Sequence, residues 1–204
     1  MQIIYGTNNA AKIEFMKKVL LGLDIDILSF KDINFSGHIE ENGIDPMENA
    51  KIKAIGYHKK IKRPVFSCDS GLFIKGLNEQ EQPGVHVRRI DNQELTDEQM
   101  IEYYSSIAKR MGGRAFAQYR NAICLVVNEE KVYEYDSREI WSQEFMIADK
   151  PHKTRISGFP LDSISVNIQT GCYYLNESDG ERYQQEIIHA KGFRLFFERV
   201  MKEL

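Results

Sequence analysis

The chain is expected to fold as a mixed α/β protein, and three features of the sequence lead there. Strand-like and helix-like stretches alternate early; two β-rich segments, Arg114 to Val127 and Lys131 to Phe145, meet at a hairpin-like Asn128-Glu129-Glu130; and the chain closes on an apolar stripe at helical spacing. Early βα units with later long antiparallel strands suggest one mixed sheet, arranged in two lobes of a single domain over 1–204 with no linker.

Taken in order, Gln2 to Tyr5 is β-prone, and Gly6-Thr7-Asn8-Asn9 supplies turn and cap chemistry. Ile13, Met16, Leu20 and Leu23 then recur at helical spacing, so a first helix is expected from Ala10 to Leu21, with Gly22 as its stop. A short strand from Asp26 to Phe30 follows. Asp45-Pro46-Met47-Glu48 has the form of a helix start, with a capping side chain, proline at the first helical position and an acid three residues after the cap; that helix should reach Lys59. Val65 to Ser67 and Leu72 to Ile74 read as two buried strands separated by a turn at Cys68-Asp69-Ser70-Gly71. Thr96 with Gln99 opens a third helix that ends near Arg110, and Phe193, Phe197, Val200 and Leu204 stripe a last one from Gln185 to Leu204.

Lys and Arg number 27 against 30 Asp and Glu, so no global basic field recruits nucleic acid or an anionic membrane, and any anion must be held by a local cluster. The cysteines Cys68, Cys124 and Cys172 are odd in number and show no CxxC spacing, which fits reduced thiols in a cytoplasm. No apolar run is long enough to span a bilayer, and Met1 leads directly into the strand-like QIIYGT, so a soluble, intracellular protein is expected. There is neither an HExxH nor a GxSxG, which disfavours zinc and Ser-His hydrolases.

Four places could carry chemistry. The strand-to-helix turn ending in Thr7, Asn9 and Lys12 offers helix N–H groups and a cation to a phosphate, although taken alone an Asn-capped helix with a solvated lysine is the more ordinary reading. Glu40, Glu41, Glu48 and Asp69 supply the hard oxygens that Mg²⁺ prefers; against that, Glu48 suits a cap and the glutamate pair a solvated loop. Asp69 lies where a buried strand ends in a Ser-Gly turn, the position of a site residue in open α/β sheets or of an Asx turn. Phe159 and Asp162, in the turn-rich SGFPLDS stretch, could hold a flat heterocycle by stacking and hydrogen bonding, or the ring could anchor the loop.

Taken together and in order, TNNAAK, EENGIDPMENAKIKA, CDSGL and PGVHVRR resemble the motifs of the inosine-triphosphate pyrophosphatase family, whose members hydrolyse non-standard purine nucleoside triphosphates to the monophosphate and pyrophosphate. SGFPLDSI and HAKG extend the likeness to Gly192. The resemblance implies an elongated two-lobed fold with a long mixed β-sheet and an active cleft between the lobes, a nucleotide substrate, Mg²⁺ and a homodimer. It implies that Thr7, Asn9 and Lys12 hold the triphosphate, with Lys53 as a second cation of the catalytic site. Glu41 and Asp69 would bind the metal, Asp69 also polarising the attacking water. Ser70, Arg89, Phe159, Asp162 and Lys191 would contact substrate.

The chain departs from the pattern in two places. Cys68 replaces the first of the family's paired acids, a soft and mostly neutral group that is a poor Mg²⁺ ligand. Ala190-Lys191 replaces its His-Arg pair, with the histidine displaced to His189. The member is therefore a divergent one, and two other functions stay open: a nucleotide-binding sensor with little turnover, and a phosphatase acting on another phosphorylated metabolite.

Overall fold

The computed structural model describes residues 1–90 and 93–204, with side chains described throughout these ranges except at 179–189. The strands are β1 (Gln2–Tyr5), β2 (Asp26–Leu28), β3 (Val65–Ile74), β4 (Arg89–Ile90), β5 (Gln93–Glu94), β6 (Arg114–Val126), β7 (Val132–Tyr135), β8 (Phe145–Ala148) and β9 (Ser165–Asn167). The helices are α1 (Ala10–Val19), α2 (Pro46–Ile61), α3 (Asp97–Arg110) and α4 (Asp179–Glu203). Seven strands form one mixed sheet in the order β2-β1-β3-β6-β8-β9, with β7 pairing β6, and β4-β5 is a separate small hairpin. β1 runs parallel to both β2 and β3, whereas β6 is antiparallel to β7 and β8. The mixed α/β class expected from the sequence is the observed one.

The chain divides into two compact units, and β3 and β6 each run from one into the other. The first comprises Met1–Ser70, Arg120–Trp141 and Ile187–Leu204; the second comprises Gly71–Tyr119 and Ser142–Glu186. Each has its own apolar centre. In the first, Ile3, Tyr5, Phe66, Ile123 and Leu125 from the sheet pack with Met16 of α1 and with Phe193, Phe196, Phe197 and Val200 of α4. In the second, Leu72, Ile74, Ala115 and Ile147 pack with Met100, Tyr104 and Ile107 of α3. Burying side chains of this size is the main favourable term holding each unit together.

The helix starts follow from local capping. Asp45 accepts a hydrogen bond from Glu48 N at 2.9 Å ahead of Pro46, and Thr96 and Gln99 form a reciprocal capping box at the head of α3. Gly192, within α4, is required by close approach: a Cβ there would lie 1.9 Å from the carbonyl oxygen of Glu139.

Two expectations are corrected. Residues 65–74 form one continuous strand rather than two flanking a turn, because Gly71 stays extended and Leu72 exchanges both backbone hydrogen bonds with Gly84, at 2.9 and 3.0 Å. The stretch from Lys131 to Phe145 is not one strand: β7 ends at Tyr135, Ser137 caps a single 3₁₀ turn over Arg138–Ile140, and β8 starts at Phe145. Several ends also move: α1 stops at Val19, β2 at Leu28 and α2 at Ile61, while α4 starts at Asp179.

Candidate functional site

Eight of the expected site residues lie in the first unit, and all but Lys191 come from its first seventy residues, where β1 and β3 run side by side and each leads to chemistry. β1 ends at Tyr5, and Gly6 turns the chain toward α1; its N–H donates to Phe66 O at 2.7 Å, and a Cβ on Gly6 would sit 3.0 Å from the Tyr57 ring. Any larger side chain would be crowded here by that ring and, at 3.3 Å, by the Phe66 carbonyl oxygen. Thr7 Oγ1 accepts from Asn9 N at 3.2 Å, and Asn9 Oδ1 caps α1 by accepting from Lys12 N at 3.1 Å. The capping bonds use acceptors only, leaving the Thr7 hydroxyl proton and the Asn9 amide protons to donate, beside the exposed Lys12 and the positive end of α1.

β3 brings Asp69 to the same unit, and α2 supplies its partner. Ala50 and Ala54 are fully buried against Ala122, Cys124 and Val126, which sets the inner face of α2 and turns Lys53 toward β3. Lys53 Nζ lies 3.0 Å from Asp69 Oδ1, 2.9 Å from Glu41 Oε2 and 3.3 Å from the Cys68 carbonyl oxygen. The Lys53 and Asp69 side chains are 12% and 14% exposed, Glu41 37%. Burial alone would lower the Lys53 pKa, but the two carboxylates outweigh it, and the ammonium is held above its ordinary value.

The other acids do not join this cluster. Glu48 Oε2 accepts from Ile44 N at 3.0 Å, so it stabilises the loop before α2, and Lys51 pairs with Glu134 on β7 at 2.8 Å. Cys68 is buried with its thiol against the Tyr5 hydroxyl; burial pushes it up to about 11, although Tyr5, Lys12 and Lys53 pull the other way. The thiol is neutral where the motif has an acid. Among the described residues no three His, Cys, Asp or Glu side chains converge as a metal nest, so the candidate metal donors are the two carboxylates on Lys53.

Three supporting residues, Asn121, Asn49 and Tyr5, lie outside the set expected from the sequence. Ser70 donates to Asn121 Oδ1 at 2.7 Å, and Asn121 in turn donates to Ile140 O at 2.6 Å, which holds the strand next to Asp69. Asn49 Oδ1 accepts from Gly43 N at 2.9 Å and steadies the loop that carries Glu41. Tyr5 closes the buried side of Cys68. Asn49 stood within the MENA motif, where a polar residue on the inner face of an amphipathic helix was a usable clue.

The second unit holds Arg89, Phe159 and Asp162. Arg89 lines a surface cavity of about 350 Å³ with Pro83, His86, Tyr103 and Arg110. Phe159 is 54% exposed at the head of the 3₁₀ turn Pro160–Ser163, and Asp162 on that turn adds to the burial that raises the Tyr119 hydroxyl pKa. Lys191 is exposed on α4, in the first unit, while the His189 side chain lies outside the described residues.

This mixed α/β protein thus carries, in one unit, a glycine-led turn that offers N–H donors and a cation to an anion, and a lysine clasped by two carboxylates that offer hard oxygens to a cation. Its family is shown by comparison: the Ham1 family model matches residues 3–155, and the chain belongs to that family. A dITP/XTP pyrophosphatase of Leptospira interrogans is 30% identical over 165 residues, 81% of this chain and 80% of its own. One of Bacillus subtilis is 29% identical over 166 residues, again 81% and 80%. Among solved structures, a HAM1 protein from Coxiella burnetii matches with a TM-score of 0.75 at 24% identity, covering 100% of both chains. The Staphylococcus aureus Ham1 protein gives 0.73 at 22%, covering 97% and 98%. At these identities the structures speak to the fold, and the fold agrees with the resemblance read from the motifs.

Proposed function

We propose that this protein is a nucleoside-triphosphate pyrophosphatase that cleaves a non-standard purine nucleoside triphosphate to the monophosphate and pyrophosphate. The observation that carries the reading is the Glu41-Lys53-Asp69 cluster in the same unit as the Thr7-Asn9-Lys12 turn. The names of the Leptospira and Bacillus relatives support the choice of dITP or XTP as substrate. Lys12, the Asn9 amide and the α1 N-terminus would hold the phosphates. Asp69 would take a proton from the attacking water, which needs only hydrogen-bond reach, and Lys53 would keep that carboxylate charged and oriented. Phe159 and Asp162 would face the base, and Ser70, Arg89 and Lys191 would contact substrate.

Two hard carboxylates suit Mg²⁺, which is commonly bound by one or two protein carboxylates with phosphates and water filling the other positions. Glu41 and Asp69 would hold it, and when bound it would neutralise phosphate oxygens as charge develops. The neutral Cys68 adds nothing to that donor set. Together with the Ala190-Lys191 departure, it favours the second reading, a nucleotide-binding protein with little turnover. We further propose a cytoplasmic homodimer. The three free cysteines support a reducing compartment, and the motif resemblance supports the dimer, which a sedimentation mass of one 23.7 kDa chain would rule out. Among the described residues no helix is long and apolar enough to cross a membrane.

The test is a pyrophosphate-release screen with Mg²⁺ over ITP, dITP, XTP and the standard triphosphates, with Asp69→Asn as control. Selective release that falls about 100-fold or more in the variant is the expected result. Tight nucleotide binding without product would leave the second reading standing, and inorganic phosphate as product would make the protein a phosphatase.

A further inference from the structure

We infer that Asp97 is a positioning residue that ties the Gly158-Phe159 turn to the start of α3 and so sets how strictly the base is chosen; the specificity half rests on the function proposed above. The tie is built from both carboxylate oxygens. Oδ2 accepts from Gly158 N at 2.8 Å, and Oδ1 accepts from Arg88 Nη1 at 2.8 Å. Arg88 is itself fixed, since the same Nη1 donates to Leu95 O at 3.1 Å. The next residue repeats the arrangement: Glu98 Oε1 accepts from Arg155 Nε at 3.1 Å, and Arg155 donates back to the carbonyls of His152 and Thr154. Two successive acids of one helix turn therefore hold a single loop at residues 155 and 158.

An acid in the first turn of a helix is ordinarily explained by the helix dipole. That explanation does not reach the contacts of Asp97. Thr96 and Gln99 already form a complete capping box on α3, and the Asp97 carboxylate is turned outward to a loop amide and a guanidinium. Those same two donors hold its pKa below the ordinary carboxylate value, the Gly158 N–H first and Arg88 second.

The loop needs such a tie because of what it displays. Gly158 sits at φ +81°, a left-handed conformation that gives the turn no rigidity of its own. Directly after it, Phe159 is 54% exposed, while Leu161 and Ile164 beyond are sunk in the apolar centre of the second unit. The exposed ring is thus pinned on one side by burial and on the other by Asp97. A ring held still can select a base by shape, whereas a loose one accommodates several.

The experiment compares wild type, Asp97→Ala and Asp97→Asn in the full chain. Hydrogen exchange of the Gly158 amide is expected to quicken about tenfold in Asp97→Ala, and less in Asp97→Asn, which keeps an acceptor but loses the charge. The ratio of kcat/KM for dITP over dGTP is expected to fall about tenfold in Asp97→Ala, mainly through KM, with kcat for dITP within about twofold of wild type. Unchanged exchange in both variants overturns the positioning role. Faster exchange with an unchanged nucleotide ratio overturns the specificity role. A wild type that cleaves neither nucleotide sinks the proposed function instead, and the exchange measurement still judges the tie. Should Asp97→Ala fail to fold, Asp97→Asn decides, with unaltered exchange and unaltered ratio counting against the inference.

Discussion

Replacing Lys53 by methionine keeps the stem and deletes the ammonium, so it isolates the charge at the centre of the candidate site. Two ion pairs end on that nitrogen, at 2.9 Å from Glu41 and 3.0 Å from Asp69. With Lys53 and Asp69 only 12% and 14% exposed, the substitution strands a nearly buried carboxylate, a change that costs about 3–5 kcal/mol. Glu41, at 37% exposure, is screened by water and adds less than about 1 kcal/mol. We expect a loss of about 3 kcal/mol, which at a urea slope of about 2 kcal/mol per molar lowers the unfolding midpoint by about 1.5 M. The pH dependence has a definite sign. The folded lysine binds its proton more tightly than the unfolded one, so its contribution is complete below the ordinary value of 10.5 and is lost as pH rises through the higher folded value. Urea titrations of both proteins at pH 7, and again above pH 10.5, provide the assay. A midpoint shift below about 0.3 M at pH 7, or a gap that widens above pH 10.5, would refute the claim that this lysine is structurally committed to the two acids.

Two further substitutions and one titration probe other features. Cys68→Asp places a carboxylate beside Lys12 and Lys53, and half-saturation of activity by Mg²⁺ should move about tenfold lower; an unchanged metal titration removes residue 68 from the surroundings of the metal. Gly192→Ala drives a methyl to 1.9 Å from Glu139 O and should cost about 2 kcal/mol even after the gain in helix propensity, read as a Tm lower by about 4–8 °C; an unshifted Tm contradicts that packing. Burial lifts Cys68 from 9.0 to about 11 and Cys124 to about 12, so at pH 8 an aromatic disulfide reagent should titrate only the exposed Cys172 in the native protein. Because these two thiols are weaker acids folded than unfolded, stability should decline as pH rises from 9.0 toward 11; a rise over that window contradicts their burial.

What could be read from the residues follows the range of the forces involved. Caps act over three or four residues, so Asp45-Pro46 and Thr96-Gln99 announced their helices without any knowledge of the fold. The Asp69-Ser70-Gly71 stretch carries equally local turn chemistry, yet it is strand, because hydrogen bonds from Gly84 outweigh a weak preference. The single run expected from Lys131 to Phe145 failed for the opposite reason: Ser137 breaks it with a cap that an alternating β pattern obscures. In the candidate site, the ordered motifs named Glu41, Lys53 and Asp69, and the fold joins the three within one ammonium's reach. Asn49, Asn121 and Asp97 escaped notice because each holds a backbone group that becomes its neighbour only after folding.

The way the two units divide the chain also bears on the order in which the protein can assemble. All of the second unit lies before Ile187, whereas the first needs Phe193, Phe196, Phe197 and Val200 to close around Ile3, Tyr5 and Phe66. The first unit therefore closes only when segments far apart in the sequence meet, and contacts of such separation form slowly. Glu41, Lys53 and Asp69 all belong to that first unit. In refolding, the unit that carries the acid-lysine cluster would thus be completed by the packing of α4, and competence for chemistry would arrive with that helix.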